Sequence, residues 1–511
     1  MLTKVKTATL SGVEGSPVVV ETDLHRGLPG FYVVGLADTT IKESCRRIKP
    51  AIMNSGYFFP NERVTVNLVP ADTPKEGSHF DLPIALGVVM LGREAVEPED
   101  TAFLGEVSLD GKINPVRGML PLVISLRQAG IRNIVVPEEN AEEAAILEDI
   151  NILPVGTLRE AAEYAFGERE LSIHIRKKSK HDRGGEVMDF AQVIGQESVK
   201  RAITIGAAGN HGMLMIGSPG CGKTMMAKRI PTILPELTYD EKIDITGIYS
   251  VAGLLSEAYP IVEKRPFRSP HHTISKIGLT GGGSRPKPGE LSLAHSGVLF
   301  LDELGEFDAG VIDAMRQPVE EGFIRISRYL GEVIFPSKVM VVIAANPCKC
   351  GNLWDERKIC TCSGKQLASH RRKLTGPFTD RIDMHIRVSP VNKENLTMIG
   401  ENMKGESSAQ MREKVIRAKT FQENRYKGMR FNCNGELDES GIRKFCTLDE
   451  ESRKMMISAY ERMNLTMRAY NKILKLSRTI ADIECAEEIR MVHVAEALQY
   501  RAGTIDGDYQ G

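Results

Sequence analysis

A glycine-rich stretch, "MLMIGSPGCGKT", contains the residue types and spacing that most closely specify a chemistry. Its second part fits the pattern G-x-x-x-x-G-K-S/T, after an apolar run and before the helical run "MMAKRI". In this pattern backbone N–H groups surround phosphate oxygens, a lysine neutralises the β- and γ-phosphates, and a hydroxyl binds Mg²⁺. The sequence therefore predicts an ATP site with Mg²⁺ bound at Thr224, formed by Gly217, Ser218, Pro219, Gly220, Cys221, Gly222, Lys223 and Thr224.

Two further apolar runs end in polar residues that could complete this site. "SGVLFLDE" ends in Asp302, a predicted Mg²⁺ ligand, and Glu303, predicted to polarise the attacking water. "VMVVIAAN" ends in Asn346, which we expect to sense the γ-phosphate and help to orient that water. Taken alone, the acids could cap a strand on the surface, and an asparagine before Pro347 could belong to an ordinary turn. The phosphate-binding pattern upstream favours the catalytic interpretation.

Four cysteines follow Asn346 directly. Cys348, Cys350, Cys360 and Cys362 form two C-x-C pairs separated by nine residues. Four thiolates are the number that a closed tetrahedral zinc site requires, and such a site is structural because no position is left for substrate. The usual spacing is C-x-x-C, so reduced thiols without metal and a redox switch remain alternatives to structural Zn²⁺.

The elements that must position these residues fall into several parts, since 511 residues exceed one core and suggest roughly three domains. Residues 1–175 mix strand-like and helical runs, as in an α+β domain. The charged residues 176–188 lack apolar periodicity and predict a linker, with a solvated loop inside one domain as the alternative. Residues 189–391 alternate strands with helices, which favours a parallel sheet. From 392 to 511 strand signals largely disappear, and helical spacing predicts a helical domain.

Composition is ordinary for a soluble globular protein, with 42% hydrophobic and 26% charged residues. The formal net charge of -1 means that nucleic-acid contacts must come from local basic patches. No apolar run approaches the ~20 residues of a membrane helix, and the first residues lack the apolar core of a signal peptide. We therefore expect a cytoplasmic protein with no membrane partner, whose nine cysteines form no disulfide framework.

Five longer stretches resemble the magnesium-chelatase-like ComM/YifB family of AAA+ ATPases: "RSPHHT", "PGELSLAHSGVLFLDE", "ANPCKCG", "LTGPFTDRIDMHI" and "LTMRAYNKILKLSRTIAD". The resemblance spans nearly the full chain. It implies an α/β fold with a P-loop parallel-sheet ATPase core and a C-terminal helical lid. It also implies a homo-oligomeric ring, with six the expected number of subunits, nucleotide between subunits, and DNA branch migration in recombination or natural transformation.

The resemblance also assigns residues outside the phosphate loop. Arg381 in "TDRID" is similar to the arginine finger that completes a neighbouring subunit's site, and Arg468 in "TMRAY" is similar to the sensor arginine of the helical lid. Ile194, Gly195 and Gln196 correspond to the segment at the adenine side of the site. Without these motifs, each arginine would be interpreted as a surface or ion-paired residue.

The N-terminal part resembles the Lon protease domain through "PKEGSHFDLPIAL" and "GKINPVRGMLPLVISLRQAGIRNIVVPEENAEEA". A Ser-Lys dyad requires a lysine to take the serine's proton. When the stretches are aligned on Gly118, the lysine position is Leu122, and no lysine occurs between Lys112 and Glu138. Ser78 lies at or next to the serine position without a base. We expect a Lon-like fold without proteolysis, serving as a platform for DNA or a partner.

Two insertions could line the pore of a ring. The first, "RSPHHTISKIGLTGGGSRPKPGE", contains Lys276, Arg285 and Lys287. The second, "GFIRISRYLGEVIF", predicts a hairpin whose tip carries Arg328 and Tyr329, a cation for phosphate and a face for base stacking. A surface hairpin is the alternative. Two functions remain open: a DNA motor, and a chelatase-type ATPase that remodels a protein partner without binding DNA.

Overall fold

The computed structural model of the chain describes residues 2–91, 100–176, 188–328, 331–355, 358–374, 376–390 and 405–501. Its main sheets are one of seven strands near the N-terminus and one of five strands in the middle of the chain. The predicted α/β fold class is confirmed. Most of the predicted linker at 176–188 and the boundary between residues 391 and 392 lie outside the described residues.

The N-terminal sheet is mixed, with the order β3-β4-β2-β1-β5-β8-β9. A long antiparallel hairpin of β1 and β2, from Leu2 opposite Asp23 to Ser11 opposite Glu14, forms its centre and was not predicted. The strands of this region are β1 (Leu2–Ser11), β2 (Glu14–His25), β3 (Gly30–Val34), β4 (Arg63–Val69), β5 (Thr101–Phe103), β6 (Glu106–Val107), β7 (Ile113–Asn114), β8 (Asn133–Pro137) and β9 (Asn151–Val155). Of these, β6 and β7 form a separate antiparallel pair. The helices are α1 (Thr39–Asn54), α2 (Asp81–Val89), α3 (Met119–Gln128), α4 (Ala141–Ala144) and α5 (Leu158–Ala165).

The five-stranded sheet is parallel throughout. Its strands, in spatial order, are β11 (Phe267–Arg268), β12 (Val298–Leu301), β15 (Met340–Ala345), β10 (Met213–Gly217) and β16 (Met384–Val388). Every residue of the three central strands is buried, as expected for a sheet covered on both faces. Because parallel strands end at the same edge, the residues that follow these three strands lie close together.

Helices cover this sheet and fill the connections between its strands. They are α6 (Glu197–Gly209), α7 (Lys223–Ile233), α8 (Tyr239–Ala252), α9 (Lys276–Thr280), α10 (Glu290–Leu293), α11 (Ala309–Ala314), α12 (Arg316–Glu321) and α13 (Gly364–Leu374). Alternate strand residues enter opposite cores, Met213 on one face and Leu214 on the other. Burial of an aliphatic side chain of this size contributes about 1.5–3 kcal/mol.

A two-stranded hairpin connects α12 to β15, as the alternating sequence predicted. It consists of β13 (Phe323–Arg328) and β14 (Gly331–Pro336), paired from Phe323 opposite Pro336 to Arg328 opposite Gly331. Tyr329 and the Arg328 side chain lie outside the described residues. The hairpin therefore exists, whereas the DNA contacts expected at its tip remain a prediction.

The described C-terminal residues form helices and no strand, which confirms a helical region after the sheet. These helices are α14 (Ser408–Tyr426), α15 (Glu439–Phe445), α16 (Glu450–Arg462), α17 (Met467–Ile483) and α18 (Met491–Gln499). Ser407, Asp449 and Thr466 cap three of them by accepting backbone N–H groups of the first turn. One hydrophobic core joins Val415 of α14 and Ile473 of α17 to Met213 of the sheet.

The N-terminal region packs against the region of the five-stranded sheet through α8 and the first predicted insertion. The Tyr239 hydroxyl donates to the Ile146 carbonyl at 2.8 Å. Arg285 of the insertion donates to Asp38 and Thr40, each at 2.9 Å. No helix among the described segments has both the length and the apolar character needed to cross a membrane.

Candidate active site

The phosphate-binding pattern forms the loop between β10 and α7. Gly220 and Gly222 have φ values of 81° and 91°, a left-handed backbone that glycine adopts without strain. Lys223 begins α7, and its largely buried ammonium donates to the carbonyls of Gly217 at 2.6 Å and Ser218 at 3.1 Å. The loop thus places a cation at a helix N-terminus, where backbone N–H groups and the helix dipole favour phosphate.

Asp302 and Glu303 reach this loop from the end of β12. The Thr224 hydroxyl donates to the Asp302 carboxylate at 2.8 Å, so the predicted Mg²⁺ ligands are neighbours. A hydroxyl and a carboxylate are the hard oxygen ligands that Mg²⁺ prefers. Glu303 has φ 55°, unusual for a residue with a side chain, and its N–H donates to Asp302 at 3.0 Å. Such strained backbone persists where its surroundings fix it, commonly at functional sites.

Asn346 completes the same edge from the end of β15. Its side-chain oxygen accepts from the Lys223 ammonium at 3.3 Å. Helix α13 braces this edge, because His370 Nε2 lies 2.8 Å from the Asn346 carbonyl and Lys373 donates to the Gly305 carbonyl at 2.5 Å. Sequence reasoning assigned neither residue a role.

A cavity of about 430 Å³ lies over the loop, and we call it the phosphate cavity. It is lined by Pro219, Gly220, Gly222, Lys223, Thr224, Met225, Asp302, Glu303, Ala345 and Asn346. Its groups can neutralise phosphate, hold Mg²⁺ and accept a proton from water. Ile194 is 41% exposed outside that lining, and Gln196 donates to the Ser389 carbonyl at 2.6 Å.

The two predicted arginines meet at a second place. Arg381 Nε and Arg468 Nη2 each lie 3.0 Å from the same oxygen of Glu320. These residues line another cavity of about 720 Å³, which we call the arginine cavity and which shares no lining residue with the phosphate cavity. The structure therefore brings Arg381 and Arg468 together, but away from the phosphate loop of their own chain.

A buried ion pair connects the loop that carries Arg381 to helix α17. We call this loop the finger loop. The Lys472 ammonium lies 3.2 Å from Asp383 and donates to the Asp380 carbonyl at 2.9 Å. His211 also faces Asp383, at 3.3 Å. Burial alone would raise the pKa of Asp383, but Lys472 and His211 hold that pKa well below its usual range.

The structure also assembles the four cysteines. Their Sγ atoms all lie within 4.8 Å of one another, with 3.3 Å between Cys348 and Cys350 and 3.6 Å between Cys350 and Cys360. Four sulfurs around zinc at a Zn–S distance of about 2.3 Å lie roughly 3.8 Å apart. The cluster therefore fits a closed tetrahedral zinc site.

This cysteine loop packs against the phosphate loop. Gly351, between the two cysteine pairs, has φ 81°, and a Cβ atom there would lie 2.5 Å from Pro219 Cδ. On the same loop, the Trp354 ring lies under the Arg387 guanidinium at 4.8 Å. The cysteine cluster is thus placed to fix one wall of the phosphate cavity.

The Lon-like part shows no proton acceptor at the predicted lysine position. Ser78 begins a short 3₁₀ turn beside a cleft of about 860 Å³, whereas Leu122 is fully buried in α3. Burial lowers the pKa of the adjacent His79 to about 4, and its Nε2 lies 2.9 Å from the Ala8 carbonyl. Arg285 and Lys287 of the insertion line the same cleft.

Family models match three segments of the chain. The model described as magnesium chelatase, subunit ChlI, matches residues 189–396. A second, subunit ChlI of Mg-chelatase, matches residues 20–140, and the C-terminal model of subunit ChlI matches residues 405–501. The first segment contains the phosphate cavity, the second lies in the Lon-like region and the third covers the C-terminal helices, while the arginine cavity is lined by residues of the first and third segments.

Full-length relatives agree with these matches. The chain is 39% identical over 497 residues to "Competence protein ComM" of Haemophilus influenzae, covering 96% of each chain. It is 37% identical over 505 residues to the YifB protein of Escherichia coli, covering 98% of this chain and 97% of YifB. A shorter similarity, 31% over 122 residues, links it to "Lon protease 2" of Hydrogenovibrio crunogenus, covering 24% of this chain and 14% of the protease.

Proposed function

The chain belongs to the family of magnesium chelatase ChlI-like AAA+ ATPases that includes ComM and YifB, and from this membership we propose that it is a ring-forming motor that moves branched DNA. The observation that carries the proposal is the separation of the two cavities. The phosphate cavity contains Lys223, Asp302 and Glu303, whereas Arg381 and Arg468 lie in the arginine cavity. A motor built in this way hydrolyses ATP between subunits.

In the phosphate cavity, each residue would act on one part of ATP. Lys223 neutralises the β- and γ-phosphates, and Thr224 with Asp302 holds Mg²⁺, which when bound offsets the charge on those phosphates. Glu303 accepts the proton of the attacking water, and Asn346 orients that water against the γ-phosphate. Ile194 lies on the adenine side.

The arginine cavity would complete the site of a neighbouring subunit. Arg381 acts there as the arginine finger, which is worth about 10³–10⁵ in rate in comparable ATPases and GTPases. Arg468 joins it, because both side chains contact Glu320. A closed ring of such subunits, with six the expected number, gives every phosphate cavity one pair of arginines.

We propose the domain organisation that the sequence predicted, with residues 176–188 as a linker. Residues 1–175 form a non-proteolytic platform, 189–391 the ATPase core and 392–511 the lid. The four cysteines hold structural Zn²⁺, which braces the loop beside Pro219. None of these roles adds a catalytic group.

DNA binding is proposed for the hairpin β13–β14. The competence protein among the relatives supports a role with incoming DNA, in recombination or natural transformation. Arg285 of the other insertion is already engaged by Asp38 and Thr40, which leaves the hairpin as the better candidate. Arg328 and Tyr329 at its tip would contact the DNA backbone and stack on bases.

The deciding experiment measures ATP hydrolysis without DNA and with single-stranded, duplex and four-way-junction DNA, together with junction migration. We expect stimulation by DNA, strongest with the junction and weaker at high salt. Arg328→Ala with Tyr329→Ala should keep basal hydrolysis and lose both stimulation and migration. Arg325→Ala is the matched control, since Arg325 lies on the same strand and already pairs with Glu332 at 2.8 Å.

The results also separate the second candidate function. Stimulation by a protein partner and by none of the DNAs would favour a chelatase-type ATPase that remodels protein, a function to which the family itself points. If DNA stimulates wild type and the tip variant equally, the motor interpretation stands while the hairpin is excluded as its DNA contact.

A further inference from the structure

The ion pairs in the arginine cavity connect two parts of the molecule that the proposed function treats separately. We propose that Glu320 is a positioning residue that holds Arg381 and Arg468 until a neighbour's nucleotide takes them, and that this exchange transmits the neighbour's nucleotide state to the base of the hairpin. The inference rests on the proposed function and states how ATP hydrolysis between subunits is coupled to the hairpin proposed to bind DNA.

Glu320 is bound to the arginines through a single oxygen. Arg381 Nε and Arg468 Nη2 both approach its Oε1 at 3.0 Å. Two guanidinium groups this close repel each other, and the carboxylate between them offsets that repulsion. Glu320 therefore helps to determine where the pair of cations lies when no phosphate is near, together with the Pro377 carbonyl, which accepts from Arg381 Nη1 at 2.8 Å.

Glu320 also belongs to the base of the hairpin. It is the second-to-last residue of α12, and β13 begins three residues later. Gly322 between them has φ 77°, and its carbonyl accepts the Ser337 N–H at 2.8 Å, which closes the hairpin below β14. The carboxylate that holds the arginines is thus two residues from the turn that fixes the hairpin.

The arginines belong to a different rigid unit. Lys472 ties α17, which carries Arg468, to Asp383 and the Asp380 carbonyl in the loop that carries Arg381. Finger loop and lid helix therefore move together. The Glu320 ion pairs connect this unit to the base of the hairpin, where α12 turns into β13 at Gly322.

The ion pairs between Glu320 and the two arginines are weak enough to be replaced by contacts between the arginines and a nucleotide. The Glu320 side chain is 40% exposed and that of Arg468 is 47% exposed, and an ion pair this open to water contributes little. Arg381 is 17% exposed, but its Nε makes no hydrogen bond to Glu320. A triphosphate offers several anionic oxygens to guanidinium forks and binds them more strongly. The arginines should therefore leave Glu320 when a neighbour's nucleotide approaches, and the base of the hairpin then loses one of its contacts with the C-terminal helices, while the Lys338–Glu436 ion pair at 3.2 Å stays.

The test compares Glu320→Gln with Glu321→Gln in the full-length protein. Glu321 is the next residue of the same helix and accepts from Gln317 at 2.8 Å. We expect Glu320→Gln to raise basal ATP hydrolysis at subsaturating ATP roughly fivefold, the factor that corresponds to about 1 kcal/mol. Its stimulation by four-way-junction DNA should fall towards one. Glu321→Gln should match wild type in both measurements.

The basal rate and the stimulation by DNA test separate parts of the proposal. Equal basal rates in Glu320→Gln and Glu321→Gln would contradict the proposal that Glu320 competes with nucleotide for the arginines. Reduced basal rates in Glu320→Gln would also contradict it, because Glu320 would then support the arginines in their active position. Full DNA stimulation with raised basal rates would overturn the link to the hairpin. If wild type itself is not stimulated by DNA, the proposed DNA function fails, and the basal arm still decides whether Glu320 competes for the arginines.

Discussion

The phosphate cavity and the arginine cavity contain complementary parts of one chemistry. The first has a phosphate loop, two acids and an amide, and no arginine among its described lining residues; the second has Arg381 and Arg468 without any residue of that loop. The phosphate cavity is built at one edge of a single sheet, where three parallel strands end. The arginine cavity depends on contacts between the finger loop, α12 and α17, which lie far apart in the chain.

This difference bears on how activity depends on assembly. A cavity that is complete for binding phosphate but lacks an arginine can bind ATP in a single subunit. In the proposed function, stabilising the charge of the transition state then requires a second subunit. The comparison yields four predictions, which begin with the largest expected effect.

The first prediction tests the phosphate cavity by itself. Lys223→Ala should abolish ATP binding, because it removes the cation held by the loop carbonyls. Glu303→Gln should bind ATP normally and lose about 10²–10⁴ in turnover, the usual contribution of a positioned proton acceptor. Equilibrium binding of a fluorescent ATP analogue and steady-state hydrolysis measure the two effects. Near-normal turnover in both variants would show that this cavity is not the catalytic one.

The second prediction tests whether the arginines serve a neighbour. Arg381→Ala should reduce turnover by about 10³-fold or more, with a smaller loss for Arg468→Ala. Mixing either variant with Lys223→Ala protein should restore part of the activity, because some interfaces then join an intact phosphate cavity to intact arginines. The control mixes Arg381→Ala with Arg468→Ala, which leaves every interface short of one arginine.

Recovery in these mixtures distinguishes the two arginines. If Arg381→Ala is rescued and Arg468→Ala is not, despite demonstrated co-assembly, Arg468 acts on the nucleotide of its own chain. Arg381 alone of the two arginines would then complete the phosphate cavity of a neighbouring subunit.

The third prediction concerns the cysteine loop, which touches only the phosphate cavity. Protein purified under reducing conditions should contain about one zinc per chain, measured by elemental analysis, because the four sulfurs match one tetrahedral site. Cys360→Ser with Cys362→Ser should lose the metal and weaken ATP binding. Cys485→Ser is the control, since Cys485 is exposed and lies outside the cluster.

The same cysteine variant should still donate its arginines. Mixed with Arg381→Ala protein, it should restore activity, since the arginine cavity lies apart from the cysteines. Metal-free wild-type protein with full activity would leave the cysteines as ordinary thiols.

The smallest effect is expected in the Lon-like region, which belongs to neither cavity. Ser78→Ala should leave ATP hydrolysis unchanged, and the wild-type protein should not cleave unfolded casein. The reason is that buried Leu122 stands at the dyad lysine position. Casein cleavage that disappears in Ser78→Ala would mean that another group serves as base.

Sequence reasoning was strongest where function follows from strand ends. The order of apolar runs before Gly217, Asp302 and Asn346 placed all three at one sheet edge, and the structure brings them together. The hairpin β13–β14 and the helical C-terminal region were also predicted, since alternation and helical spacing are local signals. The N-terminal β1–β2 hairpin was missed, because its strands are rich in polar residues and give little contrast.

Long-range contacts were beyond the sequence. Nothing local indicates that Glu320 lies between Arg381 and Arg468, or that Asp383 faces both His211 and Lys472. Such pairs arise only when α17 docks on the sheet, and their residue types are common on any protein surface. The four cysteines were the exception, because two C-x-C pairs in one short segment predict that the four thiols lie close together.

The contact between Gly351 and Pro219 has a thermodynamic consequence. If the cysteine loop holds zinc, metal and nucleotide share a wall, and linkage requires that each change the other's affinity by the same factor. ATP should then raise the zinc affinity measured by equilibrium competition with a chelator, and zinc should raise the ATP affinity by the same factor. The zinc affinity would thus report nucleotide occupancy without any measurement of hydrolysis.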